Sequence, residues 1–319
     1  MKRFGLLLFT IAFFNLALAQ SYPTKPVRVV VPQAPGGATD VFARYAGQKL
    51  SAKWGQAVVV ENRAGAAGVV GTEVVAKAAP DGYTLLVTYA GSQAVNQSLY
   101  KSLPFDSVKD FQTVATLAAT PFLFVVGPKM PARDLKAFIA LAKSKPGAIT
   151  YASSGSGSIN HLLGEMLKTE AGIDLLHVPY KGIAAAIGDV MGGQVDSAFT
   201  SVPSVISSVR AGKLRAIAVS SAKRNAAVPD VPSIAESGLP GFDVDPWWGI
   251  LAPAATPRAI VDKINADVRD VLSTEESRAF FATQGSEVLL TTPEAFHKML
   301  EGDVQKWAKV VKSSGARVD

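Results

Sequence analysis

Short runs rich in β-branched residues alternate with longer amphipathic stretches in the first part of the chain. Residues 27–31, 58–61 and 83–88 are typical of strands, and residues 39–53 and 71–79 are typical of the helices between them. Strands joined by helical crossovers run parallel and need helices on both faces of their sheet. The alternation therefore predicts an α/β fold with a mainly parallel sheet.

The same alternation restarts after a long apolar stretch at residues 114–126, which is interrupted at Pro121 and is long enough to leave one sheet and enter another. A turn-rich segment later precedes a further strand and the closing helices. Two crossings between two sheets predict two lobes that close like a clam. We expect residues 20–120 and 238–319 to form lobe one and residues 121–237 to form lobe two, with the ligand cleft between them.

The first 19 residues have the pattern of a secretory signal. Lys2 and Arg3 precede an apolar run, and a small-x-small cleavage pattern ends at Ala19. The apolar run is shorter than the ~20 residues that a membrane-spanning helix needs. We therefore predict export to the periplasm through a cleavable signal peptide at residues 1–19, which leaves about 300 residues.

Composition excludes several classes of protein. The chain has no Cys, so it has no disulfide scaffold, thiolate zinc site, iron–sulfur cluster, cysteine nucleophile or lipid-anchoring cysteine. The net charge is +6, and its Lys and Arg residues are scattered singly without the dense basic run that nucleic-acid binding favours. We predict a protein that does not bind nucleic acid and acts on a small molecule.

A glycine-rich loop follows the first predicted strand, at Gly36, Gly37, Ala38, Thr39 and Asp40. Glycines allow a ligand to approach the backbone closely, and the unpaired amides at a helix start favour a carboxylate or phosphate. The alternative is a tight turn in which Thr39 or Asp40 caps the helix.

A second loop of this kind lies between a strand and a helix in the other lobe, at Ser154, Gly155, Ser156 and Ser158. Small hydroxyl side chains and bare amides form an anion-binding nest there. The loop lacks the third glycine of a dinucleotide fingerprint and the lysine of a phosphate-binding loop. Two such loops facing each other predict an anion held between the lobes without a cofactor. Further candidates are Gly91, Ser92, Tyr180, Asp196 and Thr200 at strand ends, and His161 in the first turn of the helix after the Ser/Gly loop, where it would line the cleft.

A serine hydrolase needs a histidine base, and the chain has three candidates, His161, His177 and His297. His161 lies one helical turn beyond the Ser/Gly loop, but the glycines of that loop do not form a Gly-x-Ser-x-Gly elbow. His161 and Glu165 share a helix face, yet no third metal ligand is implied. We therefore predict binding without chemistry and without a metal, and keep a serine hydrolase that uses Ser156 and His161 as the less favoured alternative.

Several motifs in order along the chain resemble one family. They are PGGATD at 35–40, ENRAGAAG at 61–68, APDGYTLL at 79–86, SSGSGS at 153–158 and HVPYKG at 177–182. The chain is similar in these motifs to the Bug-type solute receptors of tripartite tricarboxylate transporters. The resemblance implies a periplasmic binding protein of the two-lobed type II fold, a monomer that hands a carboxylate to a membrane permease.

The resemblance also implies which residues bind and what they hold. Family members grip di- or tricarboxylates, acidic amino acids or aromatic acids through backbone amides of the two loops, often with bridging water. Gln33 and Ala64 depart from the family pattern, and the Gln33 amide adds a candidate polar contact. A receptor that presents its ligand to a sensor kinase would share this fold and site, and remains the alternative function.

Overall fold

A computed structural model describes residues 22–314 and 316 of the protein, so the predicted signal peptide lies outside the described residues. The strands are β1 (Val27–Val31), β2 (Val58–Asn62), β3 (Thr84–Tyr89), β4 (Phe111–Ala119), β5 (Phe122–Val126), β6 (Thr150–Ser153), β7 (Leu176–Pro179), β8 (Ser197–Ser201), β9 (Arg215–Val219), β10 (Trp247–Pro253) and β11 (Glu287–Val288).

The helices lie between and after these strands. They are α1 (Ala38–Trp54), α2 (Val69–Ala76), α3 (Ala90–Gln93), α4 (Asn96–Leu99), α5 (Leu135–Ser144), α6 (Ile159–Ala171), α7 (Ile183–Gly192), α8 (Val202–Arg210), α9 (Arg258–Leu272), α10 (Glu275–Thr283) and α11 (Pro293–Ser314). A single 3-10 turn, Ala66–Gly68, precedes α2. Among the described residues, no helix is both long and apolar enough to cross a bilayer.

Two sheets form the two lobes of the α/β fold. Within the described residues the first sheet has six strands in the order β11-β4-β10-β3-β1-β2, and the second has five in the order β7-β6-β8-β5-β9. The chain passes from the first sheet to the second directly between β4 and β5, and returns at β10. The predicted two-lobed α/β fold with two crossings is confirmed, while the boundaries at 120/121 and 237/238 stay predictions.

Both sheets are mixed, which corrects the expectation of mainly parallel sheets. In the first sheet β1 runs parallel to β2 and β3, but β10 runs antiparallel to β3 and β4. In the second, β6 runs parallel to β7 and β8, but β5 runs antiparallel to β8 and β9. In each sheet one strand next to a crossing, β10 or β5, runs opposite to both of its neighbours, and β11 is antiparallel to β4.

Trp248 on β10 packs where the returning chain meets the first crossing. Its ring lies 5.4 Å from the ring of Tyr89, 5.6 Å from that of Phe42 and 6.5 Å from that of Phe122 at the start of β5. Its indole N–H donates to the Thr39 hydroxyl at 3.0 Å. Trp248 therefore ties the first turn of α1 to the strands at both crossings.

We expect Trp248→Ala to lower the free energy of unfolding by about 3–5 kcal/mol, because the substitution leaves a cavity and an unpaired Thr39 hydroxyl. Urea unfolding measures the change. Val59→Ala is the control, since Val59 is 53% exposed and its loss changes stability by about 0.5 kcal/mol or less. Equal effects of the two substitutions would contradict the role given to Trp248.

Candidate functional site

The loop of lobe one turns on Gly36 and Gly37. Gly36 has a φ of +86°, which favours glycine, and its N–H donates to the Asp40 carboxylate at 3.1 Å. Asp40 is also paired with Arg44 at 2.9 Å. Burial alone would raise the pKa of the Asp40 carboxyl, but Arg44, the Gly36 amide and Asn62 outweigh burial and lower it. Asp40 therefore shapes the loop from within, and its predicted contact with the ligand stays a prediction.

The start of α1 offers free hydrogen-bond donors. Gly37 is the N-cap residue and supplies no side-chain cap, since it has none. Among the described residues, the N–H groups of Gly37, Ala38 and Thr39 find no acceptor. These amides lie at the start of α1, which is 17 residues long. The aligned peptide dipoles of the helix place partial positive charge at this end. The geometry suits an anion.

A buried hydrogen-bonded network supports this loop from behind. The Gln33 amide donates to the Ser92 hydroxyl at 2.7 Å, and that hydroxyl donates to the Ala67 carbonyl at 3.1 Å. Ser92 is buried, and Gly91 packs so closely on the Tyr89 ring that a Cβ would lie 2.4 Å from it. Gly91 and Ser92 thus make their polar and steric contacts inside lobe one and support the loop, while their predicted ligand contacts stay predictions.

Sequence reasoning missed the 3-10 turn that completes this network. Ala66 and Ala67 have φ values of 46° and 52°, which are costly for residues other than glycine. Ser92 and Asn96 both donate to the Ala67 carbonyl, and the Tyr100 hydroxyl donates to the Ala66 carbonyl. The signal was the glycine on each side of the two alanines, at positions 65 and 68, both of which have positive φ.

The Ser/Gly loop of lobe two has an outer and an inner part. Ser154, Gly155 and Ser156 are partly exposed, whereas the residues from Gly157 onward are buried. Ser158 is the N-cap of α6: its hydroxyl accepts from the His161 N–H and donates to the Gly155 carbonyl at 2.7 Å. The loop therefore consists of a helix start capped by Ser158, preceded by three residues, 154–156, that are partly exposed.

The amides of this loop differ in their partners. The Gly155 N–H donates to the Ser153 hydroxyl at 3.1 Å, and the Gly157 N–H donates to Nδ1 of His161 at 3.0 Å. The N–H groups of Ser154 and Ser156 find no acceptor among the described residues. The loop thus leaves two alternate amides, both on partly exposed residues, free to bind an anion such as a carboxylate.

The loop of lobe one lies against a second loop of lobe two, the one after β7. A Cβ placed on Gly182, just before α7, would lie 3.8 Å from the Cβ of Ala34 in the first loop. Because Ala34 precedes the free amides of lobe one, this contact brings the loop after β1 against the loop after β7. The two lobes are therefore closed on each other beside the candidate site.

Three candidates from lobe two have other positions. Asp196 precedes β8, and its carboxylate accepts hydrogen bonds from the backbone N–H and the hydroxyl of Thr150. Thr150 begins β6, so this pair lies at the opposite end of the strands from the Ser/Gly loop, which follows β6. The Tyr180 hydroxyl donates to Asp189 at 2.5 Å. Both side chains therefore have partners inside lobe two, and their predicted ligand contacts stay predictions. Thr200 is fully buried near the end of β8, and its hydroxyl has no partner among the described residues, so it remains a candidate.

A serine and a histidine do meet beside the loop, though not the expected pair. Nε2 of His177 lies 2.7 Å from the Ser153 hydroxyl. Ser153 is fully buried, whereas a nucleophile must reach its substrate. In residues 22–314 and 316, no cluster of three or more metal-ligating side chains is present. The arrangement favours binding over hydrolysis.

The closed lobes and their facing amide loops define a two-lobed solute-binding protein. A sequence profile described as "Tripartite tricarboxylate transporter family receptor" matches residues 42–316. The chain belongs to this family of periplasmic solute receptors, as its motifs predict, and the family is one of binding proteins rather than enzymes.

Named relatives agree with this assignment. Protein BugT of Bordetella pertussis (strain Tohama I) is 38% identical over 301 residues, covering 94% of this chain and 92% of BugT. The structure "R. palustris Rpa4515 with adipate" has a TM-score of 0.90 and 33% identity, covering 93% of this chain and all of that one. "MatC (Rpa3494) from Rhodopseudomonas palustris with bound malate" has a TM-score of 0.86 and 33% identity, covering 91% and 100%.

Burial, with added effects of His161 and Lys168, lowers the pKa of His177 to about 3. An unfolded histidine titrates near 6.5, so the unfolded state binds more protons as the pH falls below that value, and the free energy of unfolding decreases. We expect His177→Gln to weaken this acid sensitivity. The melting temperature measured from pH 7 to pH 4.5 should fall less steeply in the variant, and identical slopes would contradict the assignment.

Proposed function

We propose that this protein captures a small carboxylate between its two lobes and delivers it to the membrane permease of a tripartite tricarboxylate transporter. One observation carries the proposal. Facing loops of the two lobes present the free amides of Gly37 and Ala38 on one side and of Ser154 and Ser156 on the other. Donors with no acceptor in the described protein suit an anion that reaches both lobes.

Ligand-driven closure follows from this geometry. A carboxylate held by amides of both lobes favours the closed arrangement, because it makes both sets of contacts only there. Closure in turn creates the surface that a permease distinguishes from the empty receptor. The protein acts in the periplasm, where its family functions, and the reaction is binding and release without covalent chemistry.

Two solved relatives support a dicarboxylate as ligand. Their structures contain adipate and malate respectively, and both acids are small and carry two carboxylates. Backbone amides accept any carboxylate of suitable size, so we propose di- and tricarboxylates, acidic amino acids and aromatic acids as the class that contains the ligand.

A thermal-shift panel of carboxylic acids tests the proposed function. Ligand that binds only the folded state stabilises it by about 2.7 kcal/mol at a hundredfold excess over Kd. We expect at least one acid of the panel, which includes malate, adipate, citrate, glutamate and benzoate, to raise the melting temperature. Matched uncharged amides of the same acids are the control. A panel in which no acid raises the melting temperature would contradict the proposal.

Replacing one amide donor tests the site itself. Ala38 is the first residue of α1, where proline is well tolerated, and Gly37 has a φ of −85° and a ψ of 170°, which suit a residue before proline. Ala38→Pro therefore removes one N–H with little strain. Loss of a hydrogen bond to a charged group costs about 1.5–3 kcal/mol, so we expect Kd for the best acid of the panel to rise about 10- to 100-fold in calorimetry.

Gly37→Ala is the matched control for this substitution. It keeps every amide, and the added Cβ would meet only the Ala34 carbonyl, at 4.0 Å. We expect its affinity to stay within about twofold of the natural protein. Equal affinity of Ala38→Pro and the natural protein would remove α1 from the binding site.

A further inference from the structure

The Ser/Gly loop alternates inward and outward amides, and buried side chains set this alternation. Gly155 and Gly157 direct their N–H groups to the Ser153 hydroxyl and to Nδ1 of His161. The amides between them, at Ser154 and Ser156, stay free within the described protein. A different partner for either glycine would rotate the peptide planes on both sides of it.

His161 is the acceptor that holds the inner end of the loop. The residue is 8% exposed and belongs to α6, which the loop itself begins, so its ring is fixed relative to the helix axis. Nδ1 accepts the Gly157 N–H only when that nitrogen carries no proton, which leaves the proton of the neutral ring on Nε2. Nε2 lies 3.9 Å from the Glu165 carboxylate one turn along the helix, and this side suits a donor.

His177 holds the outer end of the loop from the neighbouring strand. Its Nε2 lies 2.7 Å from the Ser153 hydroxyl, the group that accepts from Gly155. The His177 and His161 rings are stacked with centroids 4.0 Å apart and nearly parallel planes. The Tyr151 ring continues the stack, 5.0 Å from the His177 ring. Two positive imidazoles at this separation would repel each other, so the stack disfavours protonation of both rings at once.

We infer that His161 and His177 are positioning residues for carboxylate binding, acting through Gly157 and Ser153 to turn the Ser154 and Ser156 amides toward the ligand. This inference rests on the proposed function and deepens it. The histidines act on the loop from within the protein, since both nitrogens of His161 face Gly157 and Glu165, and Nε2 of His177 faces Ser153. His161, expected from the sequence to line the cleft, thus acts one layer behind it.

Two substitutions at His161 separate the hydrogen bond from the space that the ring fills. His161→Asn places an amide oxygen where Nδ1 stands and retains an acceptor for Gly157. His161→Leu fills a similar volume without an acceptor. At His177, Gln places a polar atom where Nε2 stands, and Phe keeps the stacked ring without one. His297→Leu is the control, since His297 lies on α11 and its side chain is 42% exposed.

The experiment measures amide hydrogen exchange of Gly157 by NMR in the full chain, together with Kd for malate. We expect His161→Leu to speed exchange at Gly157 at least about tenfold and to weaken malate binding about tenfold, while His161→Asn stays within about threefold of the natural protein in both. We expect His177→Phe, but not His177→Gln, to weaken malate binding about tenfold. His297→Leu should change neither quantity.

Unchanged exchange at Gly157 in His161→Leu would overturn the inference, as would His161→Asn and His161→Leu variants that behave alike. Malate binding that survives in His161→Leu while Gly157 exchange rises would also overturn it, because the loop would then bind without the hydrogen bond. These outcomes leave the proposed function intact. If malate and every acid of the carboxylate panel fail to bind the natural protein, the proposed function fails, and the inference about carboxylate binding falls with it.

Discussion

Backbone amides without a protein acceptor are the constraint around which this structure is arranged. A helix leaves its first N–H groups unpaired, and most proteins satisfy them with a side-chain cap. At the start of α1 the N-cap is Gly37, which has no side chain to offer. Asp40, the nearest carboxylate in the loop, is held by Arg44 and the Gly36 amide. The Asp40 carboxylate therefore does not accept from the N–H groups of Gly37, Ala38 and Thr39.

Lobe two also has free backbone amides, but their position relative to the helix differs. There the N-cap is Ser158, which caps His161, and the free amides lie in the loop before it. The acceptors around that loop are Ser153 and His161, and each takes an inward N–H. In both lobes, therefore, polar side chains engage some amides and leave others for the solute. The approach of Gly182 to Ala34 shows that the loop after β7 lies against the loop that leads to the free amides of lobe one.

The pattern of the sequence predicts most of this fold: β1 has the predicted bounds 27–31, α1 extends the predicted helix 39–53 by one residue at each end, and Pro121 marks the crossing. The mixed sheets were not predictable from that pattern, because strand direction at a crossing depends on how the two lobes pack. The short helices α3 and α4 were missed, since four residues are too few for helical periodicity.

The candidate site, like the fold, has parts that the sequence predicts and parts that it does not. Glycine spacing predicts Gly37 and the Ser/Gly loop, because backbone donors leave a local signature. Side-chain roles depend on tertiary contacts: Asp196 and Ser92 look like ligand contacts in sequence, yet Thr150 and Ala67 occupy their polar atoms. The partnership of His161 with His177 joins residues 16 positions apart on different elements, a distance at which sequence pattern carries no information.

A crystal structure of the protein with the best-binding acid of the panel tests the central claim most directly. We expect a carboxylate oxygen, or an ordered water that is hydrogen-bonded to the carboxylate, within about 2.7–3.2 Å of the Ala38 nitrogen in lobe one. We expect the same at the Ser154 or Ser156 nitrogen in lobe two. A ligand bound between the lobes by charged side chains, with these amides facing away from it, would contradict the account.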